Sequence, residues 1–390
     1  MSASPMNVGI IGCGVISTAY IRGAARSRHI HIKSVADIRE DAARAQSSAM
    51  GVGYAAIDEM LADPSIEIVI NLTVPNAHAE VSTRIIKGGK HVYSEKPLTV
   101  SVKEARPLLQ LAAERGLRVG CAPDTFLGAS HQACRALLDD GKIGTVLGGA
   151  ASFLSRGMEA WHPNPDFFFR PGGGPVLDLG PYYITALVNL LGPVRTVTAT
   201  ASTGYPTRKI GSGDRAGEEI AVETPTSYSA LLTFESGARF SLDASWDVWK
   251  HQRSPIEIYG TEGSLLVPDP NFFGDEPKVT ERGGDWQAVD ISAFAFGERN
   301  RTLRTGREVA DHRSIGVVDM ALAIRQGRPH RASGELALHV LDVLLAIGRS
   351  AAESRVIEIG SSCDRPPPLS PGLDETVFEV FDQPHPGKVA

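Results

Sequence analysis

The chain opens with an apolar strand that runs into a glycine-rich turn and then a helix. The strand covers residues 7–11, the turn reads Gly12-x-Gly14-x-x-Ser17, and apolar residues recur at helical spacing after it. In this arrangement the first glycine permits a tight turn and the second lets the backbone approach a phosphate, while a small third residue lets helix and strand pack closely. The free N–H groups at the start of the helix attract an anion. The pattern therefore predicts a Rossmann dinucleotide-binding domain.

A second strand supplies the acid that this fold places roughly twenty residues after the glycines. Residues 31–36 form that strand, and Asp37 ends it. A carboxylate there can hold both hydroxyls of a ribose and repels a 2′-phosphate, which favours NAD. Arg39 follows two residues later and could stack on adenine or bind that phosphate, so NADP stays open.

Composition favours a two-domain globular protein. The chain has 390 residues, of which 42% are hydrophobic and 22% charged, and its net charge is −6. This length exceeds one compact core, and the charge offers no basic surface for nucleic acid or anionic lipid. The four cysteines lack metal-binding spacing, so we expect reduced thiols, no metal and a cytoplasmic location. We expect no membrane partner, because no apolar run reaches spanning length.

Two polar segments follow further predicted strands of the N-terminal half. Residues 66–72 end in the loop Thr73-Val74-Pro75-Asn76-Ala77-His78, and residues 90–95 end in Glu95-Lys96-Pro97. Open α/β sheets bind ligands at the carboxyl ends of their strands, so both segments are expected beside a cofactor. Asn76 can alternatively cap the helix that follows, and His78 can cap it, contact nicotinamide or pack in the core.

In the second half of the chain, apolar and polar residues alternate as they do in antiparallel strands. Residues 228–234 and 240–246 alternate in period two around Glu235-Ser236-Gly237, which is typical of a hairpin. A second pair surrounds a Gly-Thr-Glu-Gly turn at 260–263. The remaining expectations for this half are long loops at 203–225 and 268–310 and core helices at 311–326 and 333–352.

A glycine run precedes a helix that carries two polar side chains on one face. Arg170-Pro-Gly-Gly-Gly-Pro leads into a helix predicted from Leu177, which places Asp178 and Tyr182 one turn apart. The glycines let backbone lie close to a ligand. Tyr182 and Tyr183 could alternatively be core aromatics of this helix.

These motifs occur in the order and spacing of one family. The glycine fingerprint, Asp37, the loop at 73–78 and Glu95-Lys96-Pro97 together make the chain resemble the Gfo/Idh/MocA oxidoreductases, such as inositol dehydrogenase and glucose–fructose oxidoreductase. The resemblance implies an α/β architecture: a Rossmann domain over 1–125, an α+β domain with a large, mostly antiparallel sheet over 126–365, and a proline-rich tail over 366–390. The α+β domain would bind substrate and form a homo-oligomer, a dimer or tetramer.

The resemblance also implies the site. The family pattern is three glycines, two residues and Asp-x-Gly-x-His, with the histidine as acid/base. This chain departs from it, because Tyr182 takes the histidine position and Thr185 takes an acidic position three residues on. A few members resembling glucose–fructose oxidoreductase use tyrosine there. The implied cofactor contacts are Gly12, Gly14, Val15, Ile16, Asp37, Arg39, Thr73, Pro75, Asn76, His78, Glu95 and Lys96.

The predicted activity is hydride transfer between a secondary alcohol of a sugar, sugar acid or cyclitol and NAD(P). Tyr182 would take the hydroxyl proton beside Lys96, whose ammonium favours the phenolate, while Asp178 orients the pair or binds a neighbouring hydroxyl. His162 is the alternative base. Asp124 in the linker could bind a polyol or cap a helix, and His312 and Arg313 could approach from the other side. The predicted substrate contacts are Lys96, Asp124, Trp161, His162, Arg170, Asp178 and Tyr182.

Two other functional classes stay open. One is a redox-neutral enzyme with tightly bound NAD, which cleaves glycosides or exchanges electrons between two sugars. The other is a non-enzymatic, NAD-responsive regulator. The presence of both Lys96 and a protic residue at 182 argues against the regulator.

Overall fold

The N-terminal part of the chain is a six-stranded, all-parallel sheet. The computed structural model describes residues 4–374 and 379–380, so part of the predicted tail lies outside the described residues. The strands are β1 Met6–Ile11, β2 Ile30–Ala36, β3 Gly53–Tyr54, β4 Ile68–Asn71, β5 His91–Ser94 and β6 Val119–Cys121. Their order across the sheet is β3-β2-β1-β4-β5-β6. This confirms the Rossmann prediction, and the strand order reverses between β1 and β4, where such sheets open a crevice for ligands.

Helices cover both faces of this sheet, which explains why its central strands are almost continuously apolar. Val8, Ile10 and Ile70 are fully buried. Ser101 begins the fifth helix by accepting a hydrogen bond from the Glu104 N–H at 3.3 Å, as expected for an N-cap. The helices are α1 Ser17–Ala24, α2 Glu40–Met50, α3 Ile57–Ala62, α4 His78–Lys87 and α5 Val102–Glu114.

The second half forms a nine-stranded mixed sheet. Fifteen strands follow β6 in the described residues: β7 Val146–Leu154, β8 Val194–Ser202, β9 Thr207–Lys209, β10 Glu219–Ala221, β11 Ser227–Phe234, β12 Arg239–Ser245, β13 Ile256–Gly260, β14 Gly263–Val267, β15 Lys278–Glu281, β16 Gln287–Ala288, β17 Arg301–Thr302, β18 Glu308–Val309, β19 Ile357–Glu358, β20 Leu373–Asp374 and β21 Glu379–Val380. The large sheet has the order β16-β15-β14-β13-β7-β12-β11-β8-β19. Only β7 and β12 pair in parallel within it, so the prediction of a mostly antiparallel sheet is confirmed.

Two long helices pack on one face of the large sheet and bury its alternating apolar side chains. The helices of this half are α6 Ala129–Asp139, α7 Pro175–Leu191, α8 Ile315–Gln326 and α9 Gly334–Glu353. Leu232 and Phe240 are fully buried on the sheet, and α7 and α9 lie against each other and against the strands. Within residues 4–374, no helix has the length and apolar character needed to cross a membrane.

One predicted helix boundary and two predicted loops in this half need correction. The helix expected from residue 311 begins at Ile315, because Ser314 has a φ of 83° and cannot continue an α-helix backwards. The region 203–225 contains the short strands β9 and β10, and the region 268–310 contains β15 to β18. Strands of two to four residues are too short to give a clear alternation in sequence.

Candidate active site

The glycine turn after β1 is shaped as the fingerprint predicts. Gly12 has a φ of 106°, and a Cβ added there would lie 2.5 Å from the Leu72 carbonyl group, so only glycine fits. A Cβ at Gly14 would meet no atom within 4 Å, which leaves open space beside its backbone. Ser17 is fully buried and donates a hydrogen bond to the Gly14 carbonyl at 2.6 Å. The turn therefore packs tightly toward the protein and lies open toward the crevice.

Asp37 lies at the same edge of the sheet as the glycine turn. Its Oδ2 accepts a hydrogen bond from the Cys13 N–H at 2.7 Å, and its Oδ1 accepts one from the Arg39 N–H at 2.8 Å. Each carboxylate oxygen keeps a free lone pair, so both can still accept from a ribose. Arg39 is exposed beside it, as is Ile38.

Exposed apolar side chains surround this edge of the sheet. Val15 at the start of α1 is 99% exposed, Ile38 after β2 is 93% exposed, and Val74 after β4 is 68% exposed. Exposed apolar side chains gathered at one edge of a sheet are typical of a surface that a ligand or partner covers. Together with the open backbone at Gly14, they fit a dinucleotide lying across the carboxyl ends of β1, β2 and β4.

The loop after β4 divides between an exposed part and a buried part. Pro75 and Asn76 are exposed within a 3₁₀ turn over Pro75–Ala77. Asn76 is therefore not the N-cap of α4, and that alternative is wrong. Thr73 is engaged locally, because its N–H and Oγ1 both donate to the Asn71 side-chain oxygen.

His78 packs inside the protein and does not face the crevice. It is 1% exposed, and its Nδ1 lies 2.6 Å from the Pro97 carbonyl oxygen while its Nε2 lies 3.0 Å from that of Thr73. The ring thus joins the loop after β4 to the loop after β5. His78 was predicted to contact a cofactor, but it supports the two loops instead, because carbonyl oxygens lie against both of its ring nitrogens.

Lys96, Asp178 and Tyr182 come together at the carboxyl end of β5. The Lys96 Nζ donates to the Asp178 carbonyl oxygen at 2.8 Å and to its Oδ1 at 3.1 Å, and it lies 5.4 Å from the centre of the Tyr182 ring. Burial disfavours the charge on Lys96, but Asp178, Tyr182 and Glu95 together raise its pKa above the ordinary value. Lys96 is therefore an ammonium at any physiological pH.

Glu95 lies on the inner side of Lys96. Its Oε1 accepts a hydrogen bond from the Tyr20 hydroxyl at 2.9 Å, its Oε2 accepts one from the Lys96 N–H at 2.9 Å, and it is 9% exposed. The Glu95 side chain, predicted as a cofactor contact, thus points toward the interior and supports the loop that carries Lys96. Sequence reasoning missed Tyr20, whose only signal was its place on the buried face of α1.

The predicted contact of Asp124 with a polyol is corrected to a contact with the start of α8. Asp124 is fully buried, and its Oδ2 accepts a hydrogen bond from the Gly316 N–H at 3.0 Å. Burial raises the pKa of Asp124 to about 6, although the Gly316 N–H and Arg313 oppose this change. The linker acid therefore holds the start of α8, and a polyol could not reach it without displacing that helix.

Trp161, His162 and Arg170 lie on the loop that precedes α7. Trp161 and Arg170 are exposed, and His162 makes edge contacts with Trp161, Phe167 and Phe168 of the same loop. The His162 Nδ1 accepts a hydrogen bond from the Asn164 N–H at 3.1 Å, which leaves it poorly suited as the base. Tyr183 faces the core and reaches Asp269, so it supports the helix and stays apart from Lys96.

Both halves of the chain match family models. The oxidoreductase family with an NAD-binding Rossmann fold matches residues 6–122, and the GFO/IDH/MocA C-terminal domain matches residues 131–266. The chain belongs to the Gfo/Idh/MocA family, and it is an NAD-binding oxidoreductase.

Two relatives that align along most of the chain are sugar or cyclitol enzymes by name. A dTDP-3,4-didehydro-2,6-dideoxy-alpha-D-glucose 3-reductase of Streptomyces violaceoruber is 30% identical over 344 residues, covering 82% of this chain and 92% of the relative. An inositol 2-dehydrogenase of Rhizobium meliloti (strain 1021) is 26% identical over 326 residues, covering 81% of this chain and 94% of the relative. Levoglucosan dehydrogenase in complex with NADH and L-sorbose has the same fold, with a TM-score of 0.78 and 22% identity over 92% of this chain and all of that chain.

Proposed function

We propose that this enzyme transfers hydride between a secondary alcohol of a sugar, sugar acid or cyclitol and NAD. The observation that carries the proposal is the cluster of Lys96, Asp178 and Tyr182 at the end of β5, on the same carboxyl edge of the parallel sheet as the open glycine turn after β1. A cation and a phenol beside a dinucleotide crevice are the groups that proton transfer from an alcohol requires. The named sugar and cyclitol relatives support the substrate class.

In this mechanism Tyr182 is the proton acceptor and Lys96 orients the substrate. An ammonium has three N–H donors, and Lys96 uses two of them on Asp178, so one remains for the reacting oxygen. Tyr182 as phenolate accepts the hydroxyl proton, and the carbon of the alcohol loses a hydride at the same time. A bound nicotinamide would supply the acceptor for that hydride. Asp178 holds Lys96 in place and is available to a neighbouring hydroxyl through its carboxylate.

We propose NAD as the preferred cofactor, with NADP as the weaker one. Asp37 keeps free lone pairs at the edge of β2, where they would accept from ribose hydroxyls and repel a 2′-phosphate. The remaining proposed cofactor contacts are the buried Gly12, the partly buried Ile16 and Thr73, and the exposed Gly14, Val15, Arg39, Pro75 and Asn76. The negative charge of Asp37 is the feature that sets the preference.

The deciding experiment follows reduced-nicotinamide absorbance with purified protein, NAD or NADP, and a panel of monosaccharides, sugar acids and inositols. We expect turnover with NAD on at least one hydroxyl-rich compound and a loss of roughly 10²–10⁴-fold in kcat/KM in the Lys96→Met variant. No change in absorbance with any compound of the panel, together with nucleotide that copurifies and does not exchange, would favour the redox-neutral alternative. A large preference for NADP would contradict the role of Asp37.

We also propose that the protein is a homo-oligomer. The large sheet exposes the side chains of Leu147 on β7, Leu231 on β11 and Tyr259 on β13, among polar side chains. A mixed face of this kind suits contact with a second copy. Sedimentation velocity should give a dimer or tetramer, and Leu231→Glu should shift it toward the monomer; a monomeric wild type would refute the proposal.

A further inference from the structure

The ring of His78 contacts two loops of the candidate active site at once. Its Nδ1 lies 2.6 Å from the carbonyl oxygen of Pro97, which follows Lys96 in the chain, and its Nε2 lies 3.0 Å from that of Thr73, which follows β4. Among the described residues, neither of these two carbonyl oxygens accepts another hydrogen bond. Each loop therefore depends on His78 for this contact.

The partners of the ring determine how many protons it carries. Both partners are carbonyl oxygens, which can only accept a hydrogen bond. A neutral imidazole has one N–H and one bare nitrogen, so it would serve one carbonyl and turn a lone pair toward the other. An imidazolium has an N–H on each nitrogen and serves both. The contacts of His78 thus require a proton on each ring nitrogen.

The buried His339 shows the contrasting arrangement in the same molecule. Its Nε2 accepts a hydrogen bond from the Val194 N–H at 2.9 Å, and its Nδ1 lies 3.1 Å from the Ser361 carbonyl oxygen. One donor and one acceptor suit a neutral ring with its proton on Nδ1. His78 has two acceptors instead, and the dipoles of these two carbonyl groups offset part of the cost of burying its charge.

The two loops that His78 joins carry different parts of the proposed chemistry. Thr73 is a proposed cofactor contact, and its N–H and Oγ1 both donate to the Asn71 side-chain oxygen. The Asn71 Nδ2 in turn donates to the His78 backbone carbonyl at 3.1 Å, which closes a ring of contacts around this loop. Pro97 lies next to Lys96 on the other loop. Hydrogen bonds from a charged donor are roughly twice as strong as neutral ones, so an imidazolium holds both loops firmly.

We propose that His78 is a doubly protonated positioning residue that couples the cofactor loop after β4 to Lys96. This inference rests on the proposed dehydrogenase mechanism and adds a residue to it. His78 acts through the two loops and not on the alcohol itself. One N–H holds the backbone beside Lys96, so that the ammonium reaches the reacting oxygen, and the other holds Thr73 for the dinucleotide. Loss of either N–H releases one of the two loops.

The first test observes the two ring protons by NMR. In protein that carries ¹⁵N-labelled histidine and is saturated with NADH, both ring nitrogens of His78 should resonate in the range of protonated imidazole nitrogens. The His78→Asn variant identifies these signals, and His78→Gln serves the same purpose should that variant not fold. His339 is the reference in the same spectrum, with one protonated and one bare nitrogen. A bare nitrogen on His78 would overturn the proposal.

The second test separates the two loops. His78→Phe keeps a flat ring without donors, so NADH should bind roughly 2–10-fold more weakly and kcat should fall roughly 10–100-fold. In a Lys96→Met background the same change should weaken NADH binding equally, yet alter kcat by less than about twofold, since no ammonium remains to be positioned. Equal losses of kcat in both backgrounds, or an unchanged NADH affinity in His78→Phe, would refute the coupling.

Two further variants complete this test. His131→Phe, on α6, removes a buried histidine that contacts the Phe272 carbonyl oxygen at 3.0 Å, and it should leave NADH affinity and kcat within about twofold of wild type. His78→Gln keeps an amide donor for one carbonyl, so its losses should be smaller than those of His78→Phe, which it replaces should the latter not fold. If no compound turns over, the proposed function fails, while the NMR signals and the NADH affinities still decide the role of His78.

Discussion

The Lys96 ammonium and the Asp178 residue are joined by two hydrogen bonds, at 2.8 Å to the carbonyl oxygen and 3.1 Å to the carboxylate. This pair ties the carboxyl end of β5 to the first turn of α7, and thereby links the nucleotide-binding sheet to the helix that carries Tyr182. Lys96 is partly buried at this junction. An ion pair in this position fixes the direction of the remaining Lys96 N–H toward a substrate.

Replacing Lys96 should abolish most turnover while leaving the fold intact. We expect Lys96→Met to lower kcat/KM by roughly 10²–10⁴-fold, since it removes the donor to the reacting oxygen and leaves Asp178 unpaired. The affinity for NADH, measured by fluorescence titration, should change by less than about fivefold. Lys103→Met, on the exposed side of α5, should behave as wild type. Near-normal turnover in Lys96→Met would exclude this residue from the chemistry.

Two adjacent tyrosines provide a matched pair for the proton acceptor. Tyr182→Phe should reduce kcat by roughly 10²–10⁴-fold, because the phenol oxygen is lost from the site. Tyr183→Phe loses only a long contact with Asp269, at 3.5 Å, and should keep turnover within a few-fold of wild type. Steady-state rates of both variants test whether Tyr182 is the proton acceptor. Should the two behave alike, the loss in Tyr182→Phe would reflect packing of α7.

The two glycines of the turn should respond differently to alanine. Gly12→Ala places a Cβ against the Leu72 backbone at a positive φ, so we expect a loss of about 1–3 kcal/mol or more in the free energy of unfolding. Gly14→Ala adds a methyl group in open space, so stability should stay within about 0.5 kcal/mol while NADH binds at least about tenfold more weakly. Urea unfolding without cofactor and NADH titration separate the two effects. Tight NADH binding by Gly14→Ala would place the pyrophosphate elsewhere.

Cofactor preference should follow the charge of Asp37. Asp37→Ser removes the carboxylate that we propose accepts from ribose hydroxyls and repels a 2′-phosphate, and it leaves Arg39 beside it. We expect the ratio of kcat/KM for NADP to that for NAD to rise at least about tenfold. Asp41→Ser, in the first turn of α2, is the control and should leave the ratio unchanged. An unchanged ratio in Asp37→Ser would mean that other residues set the preference.

The ionisation of Asp124 should lower the free energy of unfolding as the pH rises from about 4 to about 6. Burial raises the pKa of Asp124 to about 6, so in this interval the native state binds more protons than the unfolded state. The free energy of unfolding must then fall with rising pH, by on the order of 3 kcal/mol in total for a change of this size.

The Asp124→Asn variant tests that pH dependence. It keeps an acceptor for the Gly316 N–H but cannot ionise, so the difference in stability between variant and wild type should grow from pH 4 to pH 7. His91 and His131, whose pKa values burial lowers to about 4, act with the opposite sign, but they are present in both proteins and cancel in the difference. A constant difference across the range would show that Asp124 ionises normally.

Much of this molecule could be predicted from local sequence pattern. The strand, glycine turn and helix at residues 7–24 form a continuous unit. The positive φ of Gly12 and the burial of Ser17 were predictable from the sequence of that unit. The hairpin of β11 and β12 follows from period-two alternation around a Gly-containing turn. The placement of Asp178 and Tyr182 one turn apart follows from helical geometry. In each case the residues that decide the structure are neighbours in the chain.

The tertiary structure decided which way the polar side chains face. Asp124 and Glu95 both lie at polar, loop-like positions in the sequence, yet Asp124 is buried against the start of α8 and Glu95 against Tyr20. His78 bridges two loops, and the backbone of Arg313 packs against Gly23 of α1 from a segment far along the chain. Local pattern carries no information on such contacts, because the burial and charge of a side chain depend on which distant segment packs over it. The sequence alone therefore determined the strands, the turn and the reactive residue types, while packing between the two halves determined their partners and exposure.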